Sequence, residues 1–150
     1  MNTGACEIIP GLWLGNIEDS KIKEFINAID IVINCSKDIP FLTNETKNIR
    51  IPIEDNLEKK EIQNLFTSLP KVTSYIHAGL RNNCQIFVHC HAGKQRSASV
   101  IVAYLIRYLN ISLQRATLLV KSKREIIFTP YMNFGAALKK FEKEYKNDEK

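Results

Sequence analysis

No apolar stretch in the 150 residues outlasts Val100–Ile106, far short of the ~20 residues that cross a bilayer. Glycine and proline are sparse, at six and five, which excludes collagen-like repeats and low-complexity linkers. Cysteine is scarce too: Cys6, Cys35, Cys84 and Cys90 form no CxxC pair. The three histidines, His77, His89 and His91, fall into no zinc-ligand spacing, so no metal or other cofactor is expected. Met1–Pro10 has neither a basic flank nor an apolar core and does not read as a secretory signal. The expected setting is intracellular, cytoplasmic or nuclear, where thiols stay reduced. Acidic residues number 16 against 21 lysines and arginines, a net charge of +5. That excess allows an anionic partner or substrate, although a solvated basic surface is the preferred explanation of charge alone.

What is present is the composition of one ordinary domain: 45% apolar and 25% charged residues. We therefore expect a single catalytic-size domain over residues 1–150. Short strands are expected at Ile8-Ile9 and Leu12–Leu14, with Pro10-Gly11 turning between them. Ile29–Cys35 is a β-branched run expected as a buried central strand, and Ile49–Ile53 alternates as a more exposed one. Between Lys59 and Leu80 the apolar residues fall at helical spacing, with Pro70 as an expected kink. Ile86–His89 reads as another buried strand, and Ser97–Leu109, apolar nearly all round, as a central helix. Ser112 is a natural N-cap for a helix to about Lys123, and Thr129-Pro130 is expected to open a last helix with Phe134, Leu138 and Phe141 inward. The 147–150 tail is expected to fray. The fold class that fits is α/β, a mostly parallel sheet flanked by helices on both sides.

The informative segment is Phe87–Ser97, FVHCHAGKQRS, between the last strand and the apolar helix. It matches H-C-x-x-G-x-x-R-S, the signature of cysteine-dependent phosphatases. Five fixed positions give a chance match on the order of one in 20,000 for a chain of this length. Its place matters as well, because a strand–loop–helix junction is where α/β proteins hold phosphate.

A phosphate monoester is a doubly charged, inert anion, so its hydrolysis needs a nucleophile, charge neutralisation and a proton for the leaving oxygen. Cys90 is a nucleophile only as thiolate, and a helix N-terminus with nearby cations lowers a cysteine pKa from ~8.5 to ~3.5–7.5. The loop His91, Ala92, Gly93, Lys94, Gln95 and Arg96 is expected to curl around phosphate with its N–H groups inward. Gly93 permits the required backbone angles. Arg96 offers a planar fork to two phosphate oxygens. Ser97 can donate to the sulfur as it leaves, and His89 is expected to support the loop.

The general acid should be a carboxylate on an exposed loop. Asp55, Glu54 and Glu58 all qualify by position, and Asp55 also reads as a turn former.

Across roughly residues 7–145 the chain resembles the dual-specificity protein phosphatases, as a small stand-alone member. The resemblance rests on Leu12-Trp13-Leu14-Gly15-Asn16, Ile51-Pro52-Ile53-Glu54-Asp55, the signature loop, Ala103-Tyr104-Leu105, and Pro130 to Glu142. It implies Asp55 as the acid, and it implies a phosphorylated protein as substrate, phosphotyrosine and also phosphoserine or phosphothreonine, with no nucleic-acid partner. His91 and Lys94 resemble the basic loops of phosphoinositide phosphatases, where they would contact extra phosphates; the preferred reading is that both face solvent and only raise the local potential, and Ser97 stays with the protein phosphatases. A phosphoinositide or RNA 5′-phosphatase is the alternative. Tyr131 and Ala137 replace the family's usual asparagine and glutamine. Cys35, ending the strand expected beside that of Cys90, is either core packing or a redox partner for the nucleophile.

Overall fold

The computed structural model describes residues 4–145, so the expectation for the 147–150 tail lies outside the described residues. The strands are β1 (Cys6–Ile9), β2 (Leu12–Gly15), β3 (Ile31–Asn34), β4 (Lys47–Arg50) and β5 (Ile86–His89). The α-helices are α1 (Lys23–Asn27), α2 (Lys59–Arg81), α3 (Arg96–Tyr108), α4 (Leu113–Lys123) and α5 (Gly135–Tyr145). The sheet order is β1-β2-β5-β3-β4, with β2, β5, β3 and β4 parallel and β1 an antiparallel edge. This is the expected mostly parallel α/β sheet. Gly11, at φ 88°, makes the β1–β2 turn, and its N–H donates to Glu7 Oε2 at 2.9 Å.

The period of two along each strand sorts the core into two layers. Leu12, Leu14, Ile31, Ile33, Ile86 and Val88 face the main core with α2–α5. Val32 and Phe87 face the opposite side, packing with Phe25, Ile26 and Ile29 around α1 and with Trp13. Helix α3 is buried from Arg96 through Ile106, enclosed by α2, α4, α5 and the sheet. That enclosure explains why its sequence is apolar all round; each buried Val, Leu or Ile contributes ~1.5–3 kcal/mol. Ser112 caps α4 as its position predicts, its Oγ accepting from Arg115 N–H at 3.1 Å, a contact typically worth ~1 kcal/mol. No helix among the described residues is long and apolar enough to cross a membrane.

The structure corrects three of the expected boundaries. The central strand starts at Ile31, because Ile29 belongs to the α1 side of the core. The next strand is Lys47–Arg50 instead of Ile49–Ile53; Ile51 and Ile53 are buried beyond it, and Pro52 brings no N–H to a ladder. Pro70 lies inside one continuous helix, with its carbonyl accepting from Arg107 Nη1 at 2.7 Å. Pro130 does not open the last helix, which begins at Gly135. The intervening backbone is held instead by Gln95, whose carboxamide donates to Tyr131 O at 2.7 Å and accepts from Asn133 N–H at 3.0 Å. Phe134, Leu138 and Phe141 are buried as expected.

Candidate active site

Strands β2, β5 and β3 all end toward the same rim of the sheet, and β5 lies between the other two. The chain therefore leaves β5 at the carboxyl edge of a parallel sheet and enters α3 six residues after Cys90, at Arg96. Cys90 is 2% exposed, and its Sγ lies 3.1 Å from Ser97 Oγ. Either atom of that pair can donate; a thiolate at Cys90 would make the serine hydroxyl the donor. His89 stacks on Phe87 with ring centroids 5.2 Å apart, and its Nδ1 lies 3.4 Å from Cys90 O. Burial pushes its pKa down to about 4, so the ring is neutral and serves packing.

Gly93 takes φ 67°, and any side chain there would meet Gly15 O at 2.5 Å. Only glycine lets the loop pass this close to β2. The loop's carbonyls point outward and are taken up by the fold. Ile17 N–H donates to His91 O at 3.0 Å and Phe128 N–H to Lys94 O at 2.8 Å. Arg124 donates from Nε to Gly93 O at 2.9 Å and from Nη2 to Ala92 O at 3.2 Å. Its Nη1 also reaches Gly4 O at 2.9 Å, tying the first described residue to the loop. With the carbonyls engaged outside, such a loop can turn its amide groups inward, toward an anion. His91 and Ala92 are exposed, and Lys94 is half-buried.

Arg96 is buried, and Nη1 donates to Ile53 O at 2.9 Å. Its Nε is buried and has no hydrogen-bond partner among the described residues. A buried charged donor without a protein partner is costly, and an anion held by the loop relieves it.

Asp55 follows Ile53 on an exposed loop, and its Oδ1 accepts from Asn133 Nδ2 at 3.0 Å. Glu54 is exposed, with its backbone N–H donating to Glu61 Oε1 at 3.1 Å. Glu58 sits at the start of α2, 3.9 Å from Lys60 Nζ. The Gln95 side chain turns away to the 129–133 segment, so it braces the same stretch that holds Asp55. Cys35 is fully buried just past β3, and its N–H donates to His89 O at 2.8 Å. Burial, followed by the charge of Cys90, pushes its thiol pKa up.

The family model for the dual-specificity phosphatase catalytic domain matches residues 12–144. The chain belongs to the dual-specificity phosphatase family. It is similar to the tyrosine-phosphatase-type protein 123R of invertebrate iridescent virus 6, 38% identical over 138 residues, covering 91% of each chain. It is also 38% identical over 144 residues to human dual specificity protein phosphatase 6, covering 91% of this chain but 36% of that one. A crystal structure of a human DUSP28 variant superposes with TM-score 0.87 at 26% identity, over 97% of this chain and 99% of that one. The chain thus spans little more than a third of human dual specificity protein phosphatase 6. As a member of the family it is a protein-phosphatase catalytic domain, of tyrosine or dual-specificity type.

Three residues around this phosphatase site carried no sequence signal. Arg124 and Asn133 stand alone outside the motif, and Glu61 occupies a helical position where an apolar residue fits the stripe. Their partners lie 31, 78 and 7 residues away, so no local pattern announces them.

Proposed function

We propose that this domain hydrolyses phosphoprotein monoesters, on phosphotyrosine and also on phosphoserine or phosphothreonine, through a phosphocysteine at Cys90. The observation that carries the reading is the buried Cys90 sulfur 3.1 Å from Ser97 Oγ, at the start of a helix whose first residue, Arg96, has an unpartnered buried Nε. In the first step the Cys90 sulfur–phosphorus bond forms while the phosphorus–oxygen bond breaks, and the proton of Asp55 goes to the leaving oxygen. Water then attacks phosphorus, gives its proton to Asp55, and the sulfur–phosphorus bond breaks. Ser97 stabilises the departing thiolate. Arg96 and the amides of His91 through Arg96 bind the phosphoryl group and its transition state. The Asn133 contact favours Asp55 over Glu54 and Glu58 as the acid, because it links the carboxylate to the segment braced by Gln95.

A panel of phosphotyrosine and phosphoserine peptides, phosphoinositides and triphosphate RNA tests the substrate. Turnover is expected on the peptides, with kcat/KM well above that on the lipids or RNA. Activity confined to phosphoinositides or RNA would reject the reading.

Cys35 belongs to the same proposal as a resolving thiol. Its backbone is hydrogen-bonded to the residue before Cys90, which places the two cysteines at neighbouring strand ends. Hydrogen peroxide would oxidise the Cys90 thiolate to sulfenic acid, and the Cys35 thiol would then displace water to form a disulfide. Peptide mapping after mild peroxide should find the 35–90 linkage, with activity restored by dithiothreitol. Sulfenic or sulfonic Cys90 without that linkage would remove Cys35 from the chemistry.

A further inference from the structure

The buried stripe of α2 is apolar at Leu65, Leu69, Val72 and Ile76, but one turn earlier it presents Glu61, which is 1% exposed. A buried carboxylate is costly unless it is paired and hydrogen-bonded. Glu61 is both. Its Oε2 accepts from Lys37 Nζ at 2.9 Å, and its Oε1 accepts from the backbone N–H of Glu54 at 3.1 Å. The Lys37 hydrogen bond, then that of Glu54, holds the carboxyl below the usual carboxylate range, so it is ionised at neutral pH.

Helix capping does not account for this arrangement. Glu61 is the third residue of α2, the place from which a glutamate normally reaches back to the N–H of the cap residue. The cap residue is Glu58, and its N–H is already taken by Asn56 Oδ1 at 3.0 Å. The Glu61 carboxylate instead reaches Glu54, the residue directly before Asp55. The loop it grips has no regular hydrogen-bond ladder, carries exposed residues from Glu54 to Glu58, and holds Leu57 at φ 66°. Its other anchors are Arg96 on Ile53 O at 2.9 Å and Asn133 on Asp55 Oδ1 at 3.0 Å.

We infer that the Lys37–Glu61 pair is a positioning device for the acid: by fixing the Glu54 N–H it holds the Asp55 backbone where the carboxyl reaches the leaving oxygen. The inference rests on the reading of Asp55 as the general acid. Glu61 and Lys37 are positioning residues and touch no substrate. Lys37 comes from the loop after β3 and Glu61 from α2, so the pair couples two elements across the site's rim to a loop that belongs to neither.

The test compares kcat/KM, which reads through the first chemical step, on two aryl phosphates. Phenyl phosphate needs a proton on its leaving oxygen, whereas 2,4-dinitrophenyl phosphate leaves largely without one. Glu61→Leu and Lys37→Met should each lose activity on phenyl phosphate, by about tenfold for Glu61→Leu, and less than about twofold on the dinitrophenyl ester. Glu61→Gln keeps an acceptor for the Glu54 N–H and should fall between wild type and Glu61→Leu. Asp55→Asn should show the same asymmetry with a loss of ~10²–10⁴-fold on phenyl phosphate. Adding Glu61→Leu to Asp55→Asn should then cost little more. Equal losses on both esters, or none, would overturn the positioning role. If Asp55→Asn itself shows no leaving-group asymmetry, it is the acid assignment that fails. Should Glu61→Leu not fold, Glu61→Gln decides the matter, because it keeps the shape and an acceptor while leaving no buried carboxylate unpaired, and its smaller loss should still be confined to phenyl phosphate.

Discussion

Exchange of Cys90 for serine is expected to lower p-nitrophenyl phosphate turnover by at least ~10⁴-fold while phosphopeptide binding persists. A cysteine thiol gives up its proton far more readily than a serine hydroxyl, which needs a base to remove it. The groups around position 90 supply none. Ser97 is itself a hydroxyl, and the neutral His89 ring, with its pKa near 4, has Nδ1 beside the carbonyl oxygen of residue 90. Binding survives because Arg96 and the loop amides are untouched, and oxygen for sulfur barely changes the packing. Steady-state kinetics with fluorescence-detected phosphopeptide binding measures both halves. Residual turnover within tenfold of wild type would mean that another group is the nucleophile.

Arg96→Lys should cost about 10³-fold in kcat although the positive charge is kept. A lysine is a single point donor, whereas the guanidinium offers a planar fork to two phosphoryl oxygens. The change also removes the donor to Ile53 O, a carbonyl on a residue that is only 2% exposed. A buried acceptor left unpaired costs ~1–3 kcal/mol, so the melting temperature should fall along with the rate. Unchanged melting would show that the ammonium satisfies Ile53 after all. A rate within tenfold of wild type would show that charge alone, without the fork, supports the chemistry.

Both substitutions fall in the part of the molecule that was readable from the chain. Eleven consecutive residues, Phe87–Ser97, carry the proposed nucleophile, phosphate-binding loop and arginine, and their strand–loop–helix setting is as expected. The alternating strands and the apolar α3 were readable for the same reason: periodicity and burial are properties of neighbouring residues. The acid was less so. Asp55, Glu54 and Glu58 are equivalent by local pattern, and the preference for Asp55 rests on family resemblance.

Element ends show the same division. Ser112 caps α4 through a residue three positions on, and the sequence is enough to see it. The last helix starts at Gly135 and not at Pro130, because Gln95, nearly forty residues earlier in the chain, takes the backbone groups of Tyr131 and Asn133.

The order of residues alone thus determined which atoms make up the candidate site and the layered sheet that carries them. Tertiary structure decided how those atoms are held: Arg124 on the outward carbonyls of the loop, Arg96 on Ile53, and Glu61 with Lys37 on the loop of Asp55. The physical reason is range. Periodicity and motif record contacts within a few residues, whereas a buried charge finds its partner wherever folding brings a free carbonyl, amide or ammonium within 3 Å, and nothing in the local pattern marks that meeting.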